Sequence, residues 1–286
     1  MKLLCDISTK DIESYINSGV DSFILNLEDF SVSGDIYFTL DEIKDITNKY
    51  DKEFFINMNK NMFNSDLDEL ELILGELSKL NIKGILFYDI SILELKKKNN
   101  LDIELVWYQE HMTTNYNTCN YYYDRGVKYS FLSSEITLDE IIEIKNKSNI
   151  TPFVFVFGMN NVAFSRRKLI TNYYKNLELE SRSRIDILEK VSNDKYLVVE
   201  DKNGSSFILE KIMNGISVIK ELYDNKFDYI VFREMGINHL SFLELVDDTK
   251  KYIDNGCVDS NYLDKYRKLY GNETGFLFKK SIYRVK

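Results

Sequence analysis

The sequence predicts an α/β protein of the (β/α)8-like, TIM-type barrel class, with a β-hairpin insertion between its last two strands. Eight short apolar segments alternate with helical patterns, and such alternation requires parallel strands joined by helical crossovers. The alternation is interrupted after the seventh strand, where two strand-like segments flank Asn203-Gly204, a strong hairpin-turn signal. An open, doubly wound sheet would also fit the alternation and remains an alternative.

The eight predicted strands are short runs dominated by β-branched, aromatic and other apolar residues, as is typical of strands buried in a parallel sheet. They cover residues 2–7, 22–26, 53–58, 84–88, 104–108, 128–132, 153–157 and 228–232. The two hairpin segments cover residues 195–200 and 205–209. Trp107, in the fifth strand, is expected to belong to the core.

Helix starts are predicted from pairs of residues with N-cap and N3 spacing. Thr-Leu-Asp-Glu-Ile occurs twice after a strand, at 39–43 and 137–141, and indicates repeated β-α units. Ser8 with Asp11 and Ser65 with Asp68 indicate two further starts, and Gly19 fits the end of the first helix. Other helices are predicted at 90–98, 119–124, 215–223 and 240–253.

The chain has 286 residues, of which 44% are hydrophobic, enough for a sizeable core. We predict a single domain over residues 1–286, with the insertion at about 175–226 and an apolar tail at 275–278 that packs back on the body. The net charge of −9 argues against broad, unaided nucleic-acid binding. A local basic patch could still contact phosphate or a small anion.

The three cysteines, Cys5, Cys119 and Cys257, are far apart and form no CxxC pair. We therefore expect no zinc site, iron–sulfur cluster or disulfide framework built by this chain alone, and we predict no metal site. The first residues do not resemble a signal peptide, and no run reaches the roughly 20 apolar residues of a membrane helix. A cytoplasmic location without membrane contact is expected.

The segment after the seventh strand has the densest positive charge that follows any predicted strand. Gly158 is expected to let the backbone turn, and a basic polar segment follows. In α/β proteins, ligands bind outside the carboxyl ends of the strands. The segment is therefore either an anion-binding site or a solvated helix start. Its candidate binding residues are Ser165, Arg166, Arg167, Lys168, Asn172 and Tyr173.

His111 and Glu135 are the candidate catalytic residues, because both follow a predicted strand. His111 would act as an acid or base, or else cap a loop. Glu135 would act as a base or orient another group, or else pair with Arg125 or Lys128. Further polar residues at strand ends are Asn26, Glu28, Asn57, Asn59, Asp89, Gln109, Ser133, Arg233 and Glu234. The sequence contains no nucleophile elbow, P-loop, dinucleotide fingerprint or HExxH motif.

The segment MTTNYNTCNYYYDRGVKYSFLSSEITLDEIIEIKNKSNITPFVFVFGMNNVAFSRRKLITNYY resembles the core of the collagenase-like peptidase family, peptidase family U32. Residues 57–89 and Gly275-Phe276 are also similar to the family, so the resemblance covers most of the chain. It is closest to the short form of Gram-positive bacteria, which pairs with a longer paralogue. The matching positions are Thr113, Thr114, Asn115, Asn120, Gly126, Ser133 to Glu135, Gly158 and Ser165 to Arg167.

This resemblance implies two kinds of activity: degradation of collagen, and prephenate-dependent hydroxylation of RNA, including 5-hydroxylation of the tRNA wobble uridine. It also implies that Asn115 and Asn120 belong to the substrate- or anion-binding set, and that prephenate is a co-substrate. Implied partners are tRNA and a longer, cysteine-bearing paralogue.

The chain departs from the family pattern at several positions. Phe157 stands where many members have His, Asn161 where many have Cys, and Ser134 replaces the Arg of Ser-Arg-Glu. The downstream cluster cysteines are missing, so we expect no cofactor bound by this chain alone. We predict support of wobble-uridine hydroxylation, as a degenerate partner subunit, with a collagenase-like peptidase as the alternative. Whether the chain is itself an enzyme stays open.

Overall fold

The computed structural model describes residues 1–279 and contains a closed parallel barrel with an antiparallel extension. Seven barrel strands come first in the chain, three inserted strands follow, and the eighth barrel strand comes last. The strands are β1 (Lys2–Asp6), β2 (Ser22–Asn26), β3 (Glu53–Met58), β4 (Gly84–Phe87), β5 (Leu105–Tyr108), β6 (Tyr129–Phe131), β7 (Thr151–Ser165), β8 (Arg184–Leu188), β9 (Lys195–Asp201), β10 (Gly204–Asn214) and β11 (Tyr229–Arg233).

The last barrel strand closes the sheet on itself. Ile230 in β11 pairs in parallel with Leu3 of β1 on one side and with Val154 of β7 on the other. Neighbouring strands from β1 to β7 also pair in parallel. Closure confirms the predicted barrel and rules out the open-sheet alternative.

In the described residues, helices alternate with the barrel strands, one helix lies in the insertion and two follow the last barrel strand. The helices are α1 (Ile12–Ile16), α2 (Leu40–Lys49), α3 (Leu67–Leu77), α4 (Ser91–Lys98), α5 (Tyr116–Tyr123), α6 (Leu138–Lys147), α7 (Leu169–Asn176), α8 (Ile219–Asp224), α9 (His239–Asp254) and α10 (Ser260–Tyr270). Short 3-10 turns, Asn64–Asp66 and Ile216–Val218, precede α3 and α8. In the described part of the chain, none of these helices has the length and apolar character needed to cross a membrane.

The repeated Thr-Leu-Asp-Glu-Ile motif begins α2 and α6 with complete capping boxes, as predicted. Two other predicted starts are displaced. Asp11, not Ser8, caps α1, because its carboxylate accepts from the backbone of Ser14. Asp66 rather than Ser65 is the N-cap of α3. Its carboxylate accepts a hydrogen bond from the backbone N–H of Phe63, across the 3-10 turn that precedes the helix.

The insertion is larger than the predicted hairpin. β9 and β10 do form a hairpin at Asn203-Gly204, but β8 adds a third strand. In addition, β7 does not turn at Gly158, and its second half pairs antiparallel with β10 as far as Ser165. A Cβ on Gly158 would lie 2.5 Å from the carbonyl oxygen of Arg233, so this glycine permits a close approach to β11 rather than a turn.

The core lies inside the barrel and between the barrel and its helices. Trp107 is buried there, as expected, and stacks on Tyr122 with ring centroids 4.0 Å apart. Of the predicted apolar tail, Leu277 is buried and its carbonyl accepts from the Leu138 backbone. Phe276 and Phe278 of the same tail remain exposed.

Candidate functional site

A buried ion-pair cluster occupies the barrel mouth, at the carboxyl ends of the strands. Arg233, the last residue of β11, donates from Nε to Asp6 at 3.0 Å and from Nη2 to Glu110 at 2.7 Å. Only 7% of the Arg233 side chain and 15% of each carboxylate side chain are exposed. β1 ends at Asp6 and Glu110 follows β5, so closure of the barrel brings the three residues together.

Arg233 makes two further hydrogen bonds, so four of its five N–H donors are used. Nη1 donates to the carbonyl of Met159 at 3.0 Å, and Nη2 also contacts the Tyr108 hydroxyl at 3.1 Å. Burial raises the pKa of the Asp6 carboxyl, while the Arg233 guanidinium opposes that rise. Burial, followed by the Glu110 charge, raises the pKa of Tyr108. The cluster thus holds one cation against two carboxyl groups and has no free guanidinium donor pair for a further anion.

Two strand-end amides extend this cluster across the mouth. Asn26 donates to Asp6 at 3.4 Å, and Asn57 donates to Asn26 at 2.8 Å. The buried Oδ1 of Asn57 has no hydrogen-bond partner among the described residues. The strand-end rule therefore found Asn26, Asn57 and Arg233, but it did not find Asp6 or Glu110.

A second cluster surrounds the buried carboxylate of Glu234. Its Oε1 lies 2.7 Å from His239 Nδ1, and its Oε2 accepts from the Ser8 backbone and the Tyr15 hydroxyl. His239 Nε2 lies 2.9 Å from Ser14 Oγ. Burial, followed by the hydrogen bond to Glu234, raises the pKa of Tyr15.

The second cluster therefore contains a hydroxyl–imidazole–carboxylate chain, Ser14–His239–Glu234. The strand-end rule had found Glu234 but not its partners Ser14 and His239, because these lie on α1 and α9 and match no local motif. Ser14 Oγ also lies 2.7 Å from the carbonyl of Asp11. Because a hydroxyl has one hydrogen, Ser14 can donate either to that carbonyl or to the imidazole, but not to both.

Two cavities open at this face of the barrel. The larger, about 720 Å³, lies between the strand-end loops and the inserted sheet, with His239, Glu234, Tyr37 and Arg184 in its wall. The smaller, about 90 Å³, lies beside the Arg233 cluster. Its lining residues are Val32, Asn59, Asn61, Tyr88, Tyr108, Glu110, His111, Asn161, Ala163 and Phe164.

The two residues predicted to be catalytic meet at the rim of the smaller pocket. His111 Nδ1 lies 3.0 Å from Glu135 Oε1, and both side chains are more than a third exposed. The alternative pairing of Glu135 with Arg125 or Lys128 is wrong. Lys128 instead contacts Glu104 at 3.2 Å, and Arg125 lies over the Tyr121 ring.

The predicted binding residues Asn115 and Asn120 are engaged within the fold. Asn115 is the N-cap of α5, where its side chain accepts from Thr118. Asn120 donates to the carbonyl of Lys147 at 3.1 Å and accepts from the Asn149 backbone at 3.2 Å. These partners precede β7, so Asn120 lies at the amino ends of the barrel strands and not with the mouth residues.

The basic segment is exposed and lies at the rim. Arg166, Arg167 and Lys168 form no salt bridge within residues 1–279, while the Arg166 guanidinium lies 3.2 Å from the centroid of the exposed Phe63 ring. Ser165 ends β7 and accepts from the Arg167 backbone at 3.3 Å. Asn172 and Tyr173, on α7, are also exposed.

The start of α7 is held by a buried carboxylate from the inserted sheet. Glu200 of β9 accepts from the Ile170 backbone at 2.7 Å, from both the backbone and hydroxyl of Thr171, and from Ser205 Oγ at 3.1 Å. Although burial alone would raise it, these hydrogen bonds lower the pKa of the Glu200 carboxyl. The basic segment is therefore held by strand β7 before it and by the Glu200-bound start of α7 after it.

The profile of one family, peptidase family U32, matches residues 8–230, most of the chain. The chain belongs to peptidase family U32. Among U32 relatives, it is 26% identical to tRNA hydroxylation protein P2 of Bacillus subtilis, over 98% of both chains. It is 24% identical to tRNA hydroxylation protein P1 of the same bacterium, over 55% of this chain and 38% of P1.

A solved U32 peptidase shares the fold of this chain. The TM-score is 0.51 at 12% sequence identity, and the match covers 82% of this chain and 93% of the other. At this identity, the comparison supports the barrel architecture alone.

Phe157 and Asn161, two of the expected departures from the family pattern, both make contacts within the fold. Phe157 is fully buried against Phe232 and Tyr270. The Asn161 amide, in the orientation that satisfies both of its ends, accepts from Ser33 and donates to the carbonyls of Ala163 and Phe207. Cys5, Cys119 and Cys257 are buried and free, and no group of three metal-ligating side chains occurs within the described residues.

Proposed function

We propose that this chain takes part in prephenate-dependent 5-hydroxylation of the tRNA wobble uridine, in the cytoplasm, as the partner subunit of a longer paralogue. Its relatives P1 and P2 are both named for tRNA hydroxylation, which favours this function over the peptidase alternative. The match with P1 covers only 38% of that protein, so a longer relative accompanies the short form in Bacillus subtilis.

The exposed basic segment is the observation that carries the proposal. The whole chain has 37 basic and 46 acidic residues, whereas residues 160–204 have nine basic and seven acidic ones. Of the unpaired cations at 166–168, Arg166 lies over the exposed ring of Phe63, and the exposed Tyr173 is on the helix that follows them. Cations that neutralise phosphates, with aromatic rings that stack on bases, are the combination used to bind single-stranded nucleic acid.

A carboxylated donor such as prephenate would also bind at this rim. In the barrel mouth, the donors of Arg233 are occupied by Asp6, Glu110, Tyr108 and Met159. The excess of carboxyl groups there would repel a dianion. Arg166, Arg167 and Lys168 retain free donors, and guanidinium groups bind carboxylates in a bidentate manner.

The partner-subunit role is supported by the contacts of Phe157 and Asn161, which stand at two expected departures from the family pattern. Phe157 is packed in the core and the Asn161 amide is bonded to its neighbours, so neither side chain is free to act on a substrate. The rim pair His111–Glu135 remains available for proton transfer.

The proposal is tested by deleting the gene and measuring 5-hydroxylated wobble uridine in bulk tRNA by mass spectrometry. We expect the modification to fall, the unchanged gene to restore it, and Arg166→Ala/Arg167→Ala to restore it poorly. Arg125→Ala/Arg267→Ala, which removes the same charge from exposed positions elsewhere on the surface, should restore it fully. An unchanged level of modification after deletion would refute the proposed function. Co-purification with the longer paralogue tests the subunit role separately.

A further inference from the structure

The small pocket beside the basic segment has the composition of a nucleobase site. Asn59, Asn61, Tyr88, Glu110, His111 and Phe164 contribute to its wall, and its volume is about 90 Å³. Pockets for drug-sized ligands measure about 300–1,000 Å³, so this one suits a single small ring. We propose that it binds one unpaired uracil base, turned out of an RNA loop. This inference rests on the proposed function in tRNA hydroxylation.

The pocket keeps hydrogen-bonding groups that the fold does not use. Asn59 Oδ1 accepts from the Val32 backbone at 2.8 Å, which leaves its Nδ2 donor free. Within residues 1–279, the Asn61 amide and the Tyr88 hydroxyl have no partner, and His111 uses only Nδ1. Partly buried polar groups that the protein does not satisfy are available to a ligand.

Glu110 supplies a fixed acceptor in the same wall. Its Oε1 already accepts from the Tyr108 hydroxyl and from Arg233, both at 2.7 Å, whereas Oε2 has no partner in the described chain. Because the Arg233 cluster is buried, it restricts the rotation of this carboxylate. Arg233 is thus a positioning residue, and Glu110 is the group that would contact the base.

The set of free donors and acceptors in the pocket wall matches uracil better than cytosine. The pairing edge of uracil offers an acceptor, an N–H donor and a second acceptor, which need a donor, an acceptor and a donor from the protein. Asn59, Glu110 and Asn61 or Tyr88 supply this set. Cytosine would place the lone pair of its N3 against the Glu110 carboxylate. Phe164 and Tyr88 add aromatic surface for stacking, as in other sites that bind a splayed-out base.

The pocket and the basic segment form one continuous surface. Phe164 lies two residues before Arg166 on β7, and Asn61 lies two residues before Phe63. The stacking of Arg166 on Phe63 joins these two segments at the rim. A loop whose phosphates contact the cations at 166–168 can therefore present a neighbouring base to the pocket.

The test is equilibrium binding of the full chain to two hairpin RNAs that differ at one loop position. One loop is all adenosine except for a single uridine, and the other has cytidine at that position. We expect about tenfold or greater preference for uridine, as hydrogen-bond readout of one base can provide. Replacing the uridine with 4-thiouridine should give photocrosslinks to peptides that contain Tyr88 or Phe164.

Two variants test the lining residues, and each has a matched control. Tyr88→Phe and Asn61→Ala remove only groups that have no partner in the described fold, so both proteins should fold normally. They should lower affinity for the uridine hairpin toward that for the cytidine hairpin and leave the latter unchanged. Tyr223→Phe at the amino end of the barrel and Asn48→Ala on α2 should alter neither. Thermal melting checks the fold of each variant.

The possible failures are distinct. Equal affinity for the two hairpins, or a crosslink away from the pocket, would overturn the uracil site while leaving RNA binding intact. A loss of affinity that is the same for both hairpins in the pocket variants would also overturn it. The absence of binding to either hairpin, at low salt as well, would overturn the RNA-binding role itself.

Discussion

At the residue scale, the most consequential side chain is the buried Arg233, because its single positive charge is paired with two carboxyl groups at once. Replacing it with Met would leave Asp6 and Glu110 buried without a cation. We expect Arg233→Met to lower the free energy of unfolding by about 3–5 kcal/mol, the cost typical of removing one partner from a buried ion pair. Urea denaturation followed by circular dichroism measures this change.

The matched control is Arg166→Met, which removes a guanidinium from an exposed ring contact. Its effect should stay within about 0.5 kcal/mol, as for most surface substitutions. A loss of less than about 1 kcal/mol in Arg233→Met would contradict the ion-pair interpretation. It would mean that water reaches Asp6 and Glu110 when the arginine is absent.

Sequence reasoning found part of this cluster and missed the rest for a physical reason. The rule that strand ends gather at one face selected Arg233, Asn26 and Asn57 correctly. The predicted first strand extends to Ile7, one residue beyond its observed end, so Asp6 lies in its interior and not at a strand end. At the end of the fifth strand, His111 was selected as the candidate residue and the neighbouring Glu110 was not. Which carboxylate meets Arg233 depends on closure of the barrel, and local sequence patterns do not encode that long-range pairing.

At the scale of the element, the start of α7 depends on the protonation of Glu200. Hydrogen bonds lower the pKa of this carboxyl below that of an unfolded glutamate, which is about 4.3. The stabilisation is therefore fully present above about pH 4.3 and is lost as the pH falls through the folded-state value. Between about pH 6 and pH 3, we expect the free energy of unfolding to fall less steeply with pH in Glu200→Gln than in the unchanged protein.

The measurement is thermal unfolding across that pH range, with Glu210→Gln as the control. Glu210 lies on the neighbouring strand β10, and its side chain has no hydrogen bond or salt bridge to another described residue. Its variant should keep the pH dependence of the unchanged protein. If Glu200→Gln also keeps it, the carboxylate does not hold the helix start in its charged form.

Local elements were predictable where the sequence carries a local signal. The boxes at Thr39 and Thr137 fixed two helix starts, and Asn203-Gly204 fixed the hairpin. The predicted turn at Gly158 is wrong, because a glycine can serve either a turn or the close approach of two backbones, and here it serves the close approach. The second half of β7 is mostly half-buried and strand β8 is mostly exposed, so their apolar pattern is weaker than that of the buried parallel strands.

At the scale of the whole molecule, the alternation of strands and helices predicted the barrel, and closure by β11 confirmed it. Alternation alone could not exclude an open sheet, because the pairing of β11 with both β1 and β7 joins residues far apart in sequence. For the same reason, the sequence could not place Asn120 at the opposite end of the barrel from the basic segment. The mouth and its two pockets exist only in the closed form.

The distribution of charge over the molecule predicts how RNA binding will depend on salt. A chain with a net charge of −9 can bind RNA only through a local basic patch. The salt dependence of its RNA affinity should therefore be set by very few cationic side chains. For single strands, each phosphate contact contributes about 0.7 to the slope of log affinity against log salt concentration. We expect Arg166→Ala/Arg167→Ala to reduce the slope by about 1.4 for a hairpin RNA, as measured by fluorescence anisotropy at several salt concentrations.

The control for this experiment changes the net charge equally but at other places. Arg125→Ala/Arg267→Ala also removes two guanidinium groups, one from the turn after α5 and one from α10, and should leave the slope unchanged. Asn61→Ala should lower the affinity for a uridine loop without changing the slope, because it removes no charge. Equal reductions by the two arginine pairs would instead show that RNA responds to the net charge of the molecule. The segment at 166–168 would then have no special part in binding.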